Sequence, residues 1–273
     1  MIKLLAFDLD GTILLNHKEI PKPNLDALEK AFQKGVHIVP TTGRMKTFIP
    51  NYITELSFVQ YAITANGGGV YDIRTGERLY KALIETKQAA EIVKIIKKYD
   101  LYCEYYLNGE AFTIRNDVDT AMKHHGIPET KRFFLSKKYH YFDDVNELLS
   151  DSSNEFEKIN LNYVPEKIFL EVKNEIKKIP DLCVTSSLLD NIEINHKNAT
   201  KGLGISALCE KLGILQDEVM SIGDGSNDIS MLEWAGTSVA MGNAIDEAKF
   251  VAKYITDNCE DFGFAKAVEK LIL

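Results

Sequence analysis

Positive charge is in deficit: across 273 residues, 32 Lys and Arg oppose 40 Asp and Glu, a formal net charge of −8. A nucleic-acid or anionic-membrane partner would require a basic face, so neither is expected. A small anionic ligand remains compatible, because a local cationic pocket can sit within an acidic chain. Long apolar runs are missing as well. Nothing approaches the roughly 18 consecutive apolar residues that a bilayer crossing needs, and Leu4 to Phe7 is too short for a secretory leader core. A cytoplasmic protein is the expectation. Cysteine is sparse: Cys103, Cys183, Cys209 and Cys259 form no C-x-x-C pair, which reads as reduced thiols filling the core. There is no internal repeat and no low-complexity linker. The remaining composition, 45% hydrophobic and 26% charged, is that of a globular protein. At about 150 residues per domain, the length implies two domains.

The first stretch alternates strand and helix signals. Ile2 to Phe7 is an apolar run ending in a polar turn, the pattern of a buried strand. Pro23 to Lys34 carries Leu25, Leu28, Ala31 and Phe32 at helical spacing, with Gly35 as a stop. Val36 to Pro40 is a second strand, Lys46 to Leu56 a helix weakened by Pro50, and Tyr61 to Thr64 a third strand running into Asn66-Gly67-Gly68-Gly69. This alternation predicts right-handed crossovers and a parallel sheet.

The character changes near residue 83. Thr86 to Tyr99 is an amphipathic helix, and Leu101 to Leu107 with Ala111 to Arg115 flank Asn108-Gly109, a hairpin signal. Asp144 to Leu149 and Pro165 to Lys178 read as helices. Lys158 to Tyr163, Leu182 to Ser186 and Asn191 to Asn195 read as strands, the last two around Leu189-Asp190. After Lys201 the alternating pattern returns, with helices at Gly204 to Leu212, Asp228 to Ala235 and Phe262 to Ile272. Strands are expected at Val219 to Ile222, Ser238 to Met241 and Tyr254 to Thr256. The expected fold is α/β: a Rossmann-like parallel-sheet core, residues 1–83 and 197–273, interrupted by an inserted α+β domain, residues 84–196.

Chemistry concentrates at the strand ends, where open parallel sheets collect ligands. Asp8-Leu9-Asp10-Gly11-Thr12 directly follows the first strand. Carboxylates two positions apart on an extended chain leave on the same side and repel, so they call for a divalent cation or a shared proton. An acidic turn closed by Gly11 is the bland alternative. Thr42-Gly43-Arg44 follows the second strand, and Lys201-Gly202 stands at a helix start. Gly223-Asp224-Gly225-Ser226-Asn227-Asp228 follows Val219 to Ile222. Each alone could be an ordinary turn or N-cap. Together they supply the groups for phosphoryl transfer through an aspartyl-phosphate. These are a carboxylate nucleophile, a carboxyl acid/base, oxygen ligands for magnesium, and a lysine and hydroxyl for the phosphate oxygens.

On these motifs the sequence resembles the haloacid dehalogenase (HAD) superfamily over essentially its whole length. The Thr-Gly-Arg form of the second motif, with an insertion between the second and third motifs, is similar to the C2-capped, Cof-type (IIB) subfamily. The resemblance implies a magnesium-dependent phosphatase of small phosphorylated metabolites, often sugar phosphates. It implies Asp8 as nucleophile and metal ligand. Asp10 would be the acid/base, with its carbonyl a second ligand, and Asp224 the third. Leu9 and Gly43 amides, Thr42, Lys201 and Asn227 would bind phosphate, and Asp228 would support Lys201 or act through water. The inserted domain would be a cap that sets specificity.

Arg44, Asn66 and His196 are candidate substrate contacts, though hinge or capping roles serve at least as well for all three. His124-His125 are adjacent and so share no helix face, which leaves them as surface residues. Tyr99, Tyr102, Tyr105 and Tyr106 read as half-buried strand surface. Two other functions use the same parts: a phosphomutase, which returns the phosphoryl group to a sugar, and a phospho-accepting signalling module without turnover. Free orthophosphate against an isomerised product separates the first, and many turnovers per chain exclude the second. The sequence does not indicate the oligomeric state.

Overall fold

The computed structural model describes residues 1–16, 19–114, 139–151, 153–186 and 190–273. The chain divides into two compact units. One comprises Met1–Arg44, Ile49–Lys81 and Thr200–Leu273, the other Met45–Phe48 and Ala82–Ala199. The α/β architecture, a parallel-sheet core and a second unit built on an antiparallel sheet, is the one expected.

In the first unit, β1 (Leu4–Phe7) is buried along its whole length. Parallel sheets covered on both faces select such continuous apolar strands rather than alternating ones. β1 pairs in parallel with β2 (His37–Pro40) and with the later strand Val219–Gly223. Between β1 and β2, α1 (Lys22–Gln33) begins with proline in its first turn, where the missing N–H costs nothing. It buries Ala27, Leu28 and Ala31, and Gly35 at φ +84° follows its end.

The stretch expected as one helix at Lys46–Leu56 is a 3₁₀ turn at Lys46–Phe48 and a four-residue helix, α2 (Asn51–Thr54). Pro50, with no N–H to donate, stands between them. β3 (Tyr61–Thr64) lies parallel to the line of the second strand through the bridge of Thr41 to Ile63, but its ladder is elsewhere. It pairs antiparallel with β4 (Gly69–Asp72), which pairs with β5 (Arg78–Lys81), in a three-stranded sheet of its own. Isolated bridges, Ile38 to Val59 and Thr41 to Ile63, join this segment to the second strand's line.

The second unit opens with α3 (Thr86–Tyr99), which buries Ala89, Ile92, Val93 and Ile96. The predicted hairpin is β6 (Cys103–Leu107) and β7 (Glu110–Ile114), with Leu107 opposite Glu110. Asn108 and Gly109 both have positive φ, 54° and 81°, as a type I′ turn requires. The sheet is completed by β8 (Tyr139–Phe142), β9 (Phe156–Leu161), β10 (Leu182–Thr185) and β11 (Ile192–His196), in the order β10-β11-β9-β6-β7-β8. Helices α4 (Val145–Ser150) and α5 (Glu166–Ile176) lie between these strands in sequence. One sheet face, with Cys103, Tyr105, Ile159, Leu161, Ile192 and Ile194, forms an apolar core with Ile92, Val172 and Ile176 of α3 and α5. Each fully buried aliphatic side chain there contributes about 1.5–3 kcal/mol. Tyr102, Tyr105 and Tyr106 are buried rather than half-exposed. His124, His125, Arg115 and Leu189 lie outside the described residues.

The chain re-enters the first unit at α6 (Lys201–Leu212), capped by the Thr200 hydroxyl on Leu203 N and ended by Gly213 in the left-handed region. Then follow β12 (Val219–Gly223), α7 (Ile229–Trp234), β13 (Thr237–Ala240), α8 (Asp246–Val251), β14 (Tyr254–Ile255) and α9 (Gly263–Leu271). The parallel sheet runs β14-β13-β12-β1-β2. Its carboxyl edge at β1 and β12 therefore sets Asp8 beside the Gly223–Asp228 loop. Among the described residues, no helix is long and apolar enough to cross a membrane.

Candidate active site

Lys201 organises the site. It is fully buried, and its ammonium donates to Asp8 Oδ1 and Asp228 Oδ1, each at 2.5 Å. Burial of an ammonium is tolerated only with such partners. Burial alone would lower the Lys201 pKa, but Asp228 and Asp8 outweigh it and hold the group firmly protonated. Asp228 is engaged at its other oxygen too: Oδ2 accepts from the backbone N–H of Asp224 and of Gly225, each at 2.8 Å. The tight loop after β12 is thus folded around the Asp228 carboxylate.

Asp8, Asp224 and Asp228 each offer a carboxylate oxygen within 4.8 Å of the others. Three carboxylates against the one lysine that bridges two of them leave surplus negative charge. Burial, opposed by Lys201, raises the Asp8 carboxyl well above the usual range. Burial and then Asp228 push Asp224 up to about 6. An oxygen-only donor set with surplus negative charge suits a hard divalent cation such as magnesium. Because Asp228 is committed to Lys201 and the loop amides, Asp8 and Asp224 are the side chains best placed to hold one.

Gly11 makes this approach of the two loops feasible. Its φ is +79°, and a Cβ there would stand 2.4 Å from Asp224 Oδ2, so any other residue would be strained in its backbone and would displace the Asp224 carboxylate. Next to it the Thr12 hydroxyl donates to Asp224 Oδ1 at 2.7 Å. Asn243 Nδ2 donates to the Gly11 carbonyl at 2.8 Å, while its Oδ1 accepts from Cys259 N at 2.8 Å. Leu9 is buried, and its carbonyl accepts from Ile13 N and Leu14 N, closing the turn that carries Asp10.

Asp10 is placed differently from Asp8. Its carboxylate is gripped by Arg44, with Nε to Oδ2 at 2.7 Å and an Nη to Oδ1 at 2.5 Å. Arg44, expected as a candidate substrate contact, therefore spends its fork on the Asp10 carboxylate. The Thr42 hydroxyl accepts from Arg44 N at 3.1 Å, whereas Thr41 turns its hydroxyl to Val39 O. Asn66 is buried and sits in left-handed backbone, φ 58°, directly after Ala65 at φ 49°. Two such non-glycine residues in succession cost of order 1–3 kcal/mol each. The Asn66 side chain accepts from Asn227 Nδ2 at 3.0 Å, linking the β3–β4 turn to the β12 loop. Gly43 lies against this pair, with an added Cβ 2.7 Å from Asn66 Oδ1.

The first unit thus brings together Asp8, Asp224, Asp228 and Lys201, and separately Asp10 with Arg44 and Asn66 with Asn227. His196 ends β11 in the second unit, where its Nδ1 accepts from Asn198 N at 3.2 Å. Thr12, though inside the quoted motif, received no role from the sequence, and Asn243 carried no signal there at all.

A model of the haloacid dehalogenase-like hydrolases matches residues 5–268. The chain belongs to that family. It is 32% identical over 272 residues, covering all of this chain and 96% of the relative, to 5-amino-6-(5-phospho-D-ribitylamino)uracil phosphatase YcsE of Bacillus subtilis (strain 168). Phosphatase YwpJ of the same organism is 29% identical, covering 99% of this chain and all of that protein. Among solved structures, the HAD subclass IIB sugar phosphatase BT4131 superposes with a TM-score of 0.82 at 26% identity, over 98% of both chains. A haloacid dehalogenase-like hydrolase from B. subtilis reaches 0.85 at 27% identity, over 99% of this chain and all of its own. The HAD resemblance read from the motifs is therefore correct, and the chain is a hydrolase of this family.

Proposed function

We propose that this HAD hydrolase is a magnesium-dependent phosphatase of small phosphorylated metabolites, sugar phosphates foremost, working through a phospho-aspartate on Asp8. The observation that carries the proposal is the buried Asp8–Lys201–Asp228 pairing with Asp224 alongside. The relatives named as phosphatases of a ribityl phosphate and of sugars support the substrate class.

Asp8 attacks phosphorus, and the bond between phosphorus and the ester oxygen breaks. The departing alkoxide takes a proton from Asp10. Asp10 then removes a proton from water, whose oxygen attacks the same phosphorus. The bond to Asp8 breaks and orthophosphate leaves. Arg44 holds Asp10 by both oxygens, the ionised form needed for the water step; proton donation requires the carboxyl to release one of those bonds. Lys201, Thr42, Asn227 and the amides of Leu9 and Gly43 bind and neutralise the phosphate oxygens. Asp228 acts as a positioning residue for Lys201. Bound magnesium, held by Asp8, Asp224 and the Asp10 carbonyl, would offset the repulsion between carboxylates and phosphate.

The test is orthophosphate release from a panel of sugar phosphates, nucleotides, pyridoxal phosphate and flavin mononucleotide, with magnesium. Many turnovers on one or more monoesters are expected. An isomerised sugar phosphate without orthophosphate would show a mutase instead. A single stoichiometric phosphorylation would show a phospho-accepting module.

A further inference from the structure

Asn243 is exposed, so burial contributes little to keeping it in place. Its side chain nevertheless makes two bonds of opposite sense. Nδ2 donates to the Gly11 carbonyl and Oδ1 accepts from Cys259 N, each at 2.8 Å. A carbonyl only accepts and a backbone N–H only donates, so these partners fix which way the amide points. An ionised aspartate of the same shape would offer acceptors alone.

The loop that carries Asn243 is itself pinned. It follows β13 at the carboxyl edge of the parallel sheet. Met241 N donates to Gly223 O, Gly242 N to Asp257 O and Ile245 N to Asp224 O, each at 3.0 Å. Gly242 is packed so closely that an added Cβ would stand 2.6 Å from Asn258 Oδ1. One loop of the first unit therefore holds the Asp224 backbone directly and the Gly11 backbone through Asn243.

Gly11 is the point that needs holding. Glycine has the widest freedom in φ, and rotation about that bond swings the Asp10–Gly11 peptide against the rest of the turn. The neighbouring groups are tied down. The Leu9 carbonyl accepts from Ile13 N and Leu14 N, the Ile13 carbonyl from Asn24 Nδ2 at 3.1 Å, and the Leu14 carbonyl from Cys259 Sγ at 3.4 Å. Arg44 grips the Asp10 carboxylate. Asn243 supplies the restraint at the permissive link.

We infer that Asn243 is a positioning residue for the metal site. By holding the Gly11 carbonyl it fixes the Asp10–Gly11 peptide, and with it the aim of the Asp10 carbonyl and the separation of the turn from the Asp224 carboxylate. This rests on the phosphatase reading, in which Asp8, Asp224 and the Asp10 carbonyl hold magnesium, and adds to it a residue outside the four motifs. Groups that orient metal ligands carry about 10–100-fold in metal affinity.

The test is calorimetric magnesium titration of metal-free wild type, Asn243→Ala and Asn243→Asp. The aspartate keeps the acceptor for Cys259 N but sets a second acceptor against the Gly11 carbonyl. Its added charge alone would attract a cation, so weaker binding there reports lost positioning. Both variants should raise the magnesium Kd at least about tenfold. Hydrogen exchange on the peptide carrying residues 8–14 should quicken in both. The urea midpoint should stay within about 1 M of wild type, the equivalent of two exposed hydrogen bonds. Wild-type affinity in the alanine variant, affinity recovered in the aspartate variant, or a midpoint lowered by more than that would overturn the inference and leave the phosphatase reading standing. Folded wild type that neither binds magnesium nor releases orthophosphate would overturn both.

Discussion

Replacing Lys201 by methionine keeps the length and much of the volume of the side chain and removes its charge. The ammonium is fully buried and binds two carboxylates at 2.5 Å, with a third carboxylate oxygen within 4.8 Å of both. Its loss leaves buried charge uncompensated, a change that costs about 3–5 kcal/mol against a total stability of about 5–15 kcal/mol. With a urea m-value of about 2 kcal/mol/M, the unfolding midpoint should fall by about 1.5–2.5 M. The chain has a single tryptophan, Trp234 at the end of α7 in the same unit, so its fluorescence follows this unit and not the other. Adding Asp228→Asn to the lysine variant removes one stranded carboxylate and should recover part of the loss, a coupling that independent sites do not show. A midpoint within about 0.5 M of wild type for Lys201→Met, with no recovery in the double variant, would refute the charge argument.

Gly11→Ala places a methyl group 2.4 Å from Asp224 Oδ2 at φ +79°. It should cost at least about 1–2 kcal/mol of backbone strain and weaken magnesium affinity by displacing Asp224, read by urea unfolding and metal titration; wild-type values in both would contradict the packing. Chelation should silence orthophosphate release and magnesium should restore it; activity that survives exhaustive chelation would contradict the metal assignment. Burial pushes the Cys209 and Cys259 thiols up to about 11. At pH 8 the thiolate fraction is then about one in a thousand, against about a quarter for an ordinary thiol. Disulfide reagents should therefore modify these two slowly in the native protein and faster as pH rises. All four cysteines should react promptly in guanidinium, and prompt reaction of all four in native protein would contradict this.

The motifs were legible because the chemistry needs rare residue types at fixed strand ends. Asp8 and the Gly223–Asp228 loop follow apolar runs that only buried strands explain. Tyr61–Thr64 keeps parallel bridges to the line of the second strand, but alternation of elements says nothing about the hairpin it also enters. Gly69–Asp72 and Arg78–Lys81 were passed over, and their antiparallel pairing redirects β3. Pro50 weakens the Lys46–Leu56 helix pattern in the sequence, and the break falls at that residue. The tyrosine series looked amphipathic because periodicity cannot distinguish water from a buried carboxylate, and Glu104 fills that place here. Thr12, Asn243 and the Arg44–Asp10 fork depend on loop-to-loop distances, which no spacing along the chain encodes.

The direct measurement of the central claim is rapid quenching of the enzyme with a ³²P-labelled monoester, followed by peptide mapping. Label should appear on the peptide carrying Asp8, be released by hydroxylamine as an acyl phosphate is, and vanish together with orthophosphate release in Asp8→Asn. Label on another residue, or an Asp8→Asn variant retaining about a tenth of the activity where losses of order 10³ are expected, would contradict it.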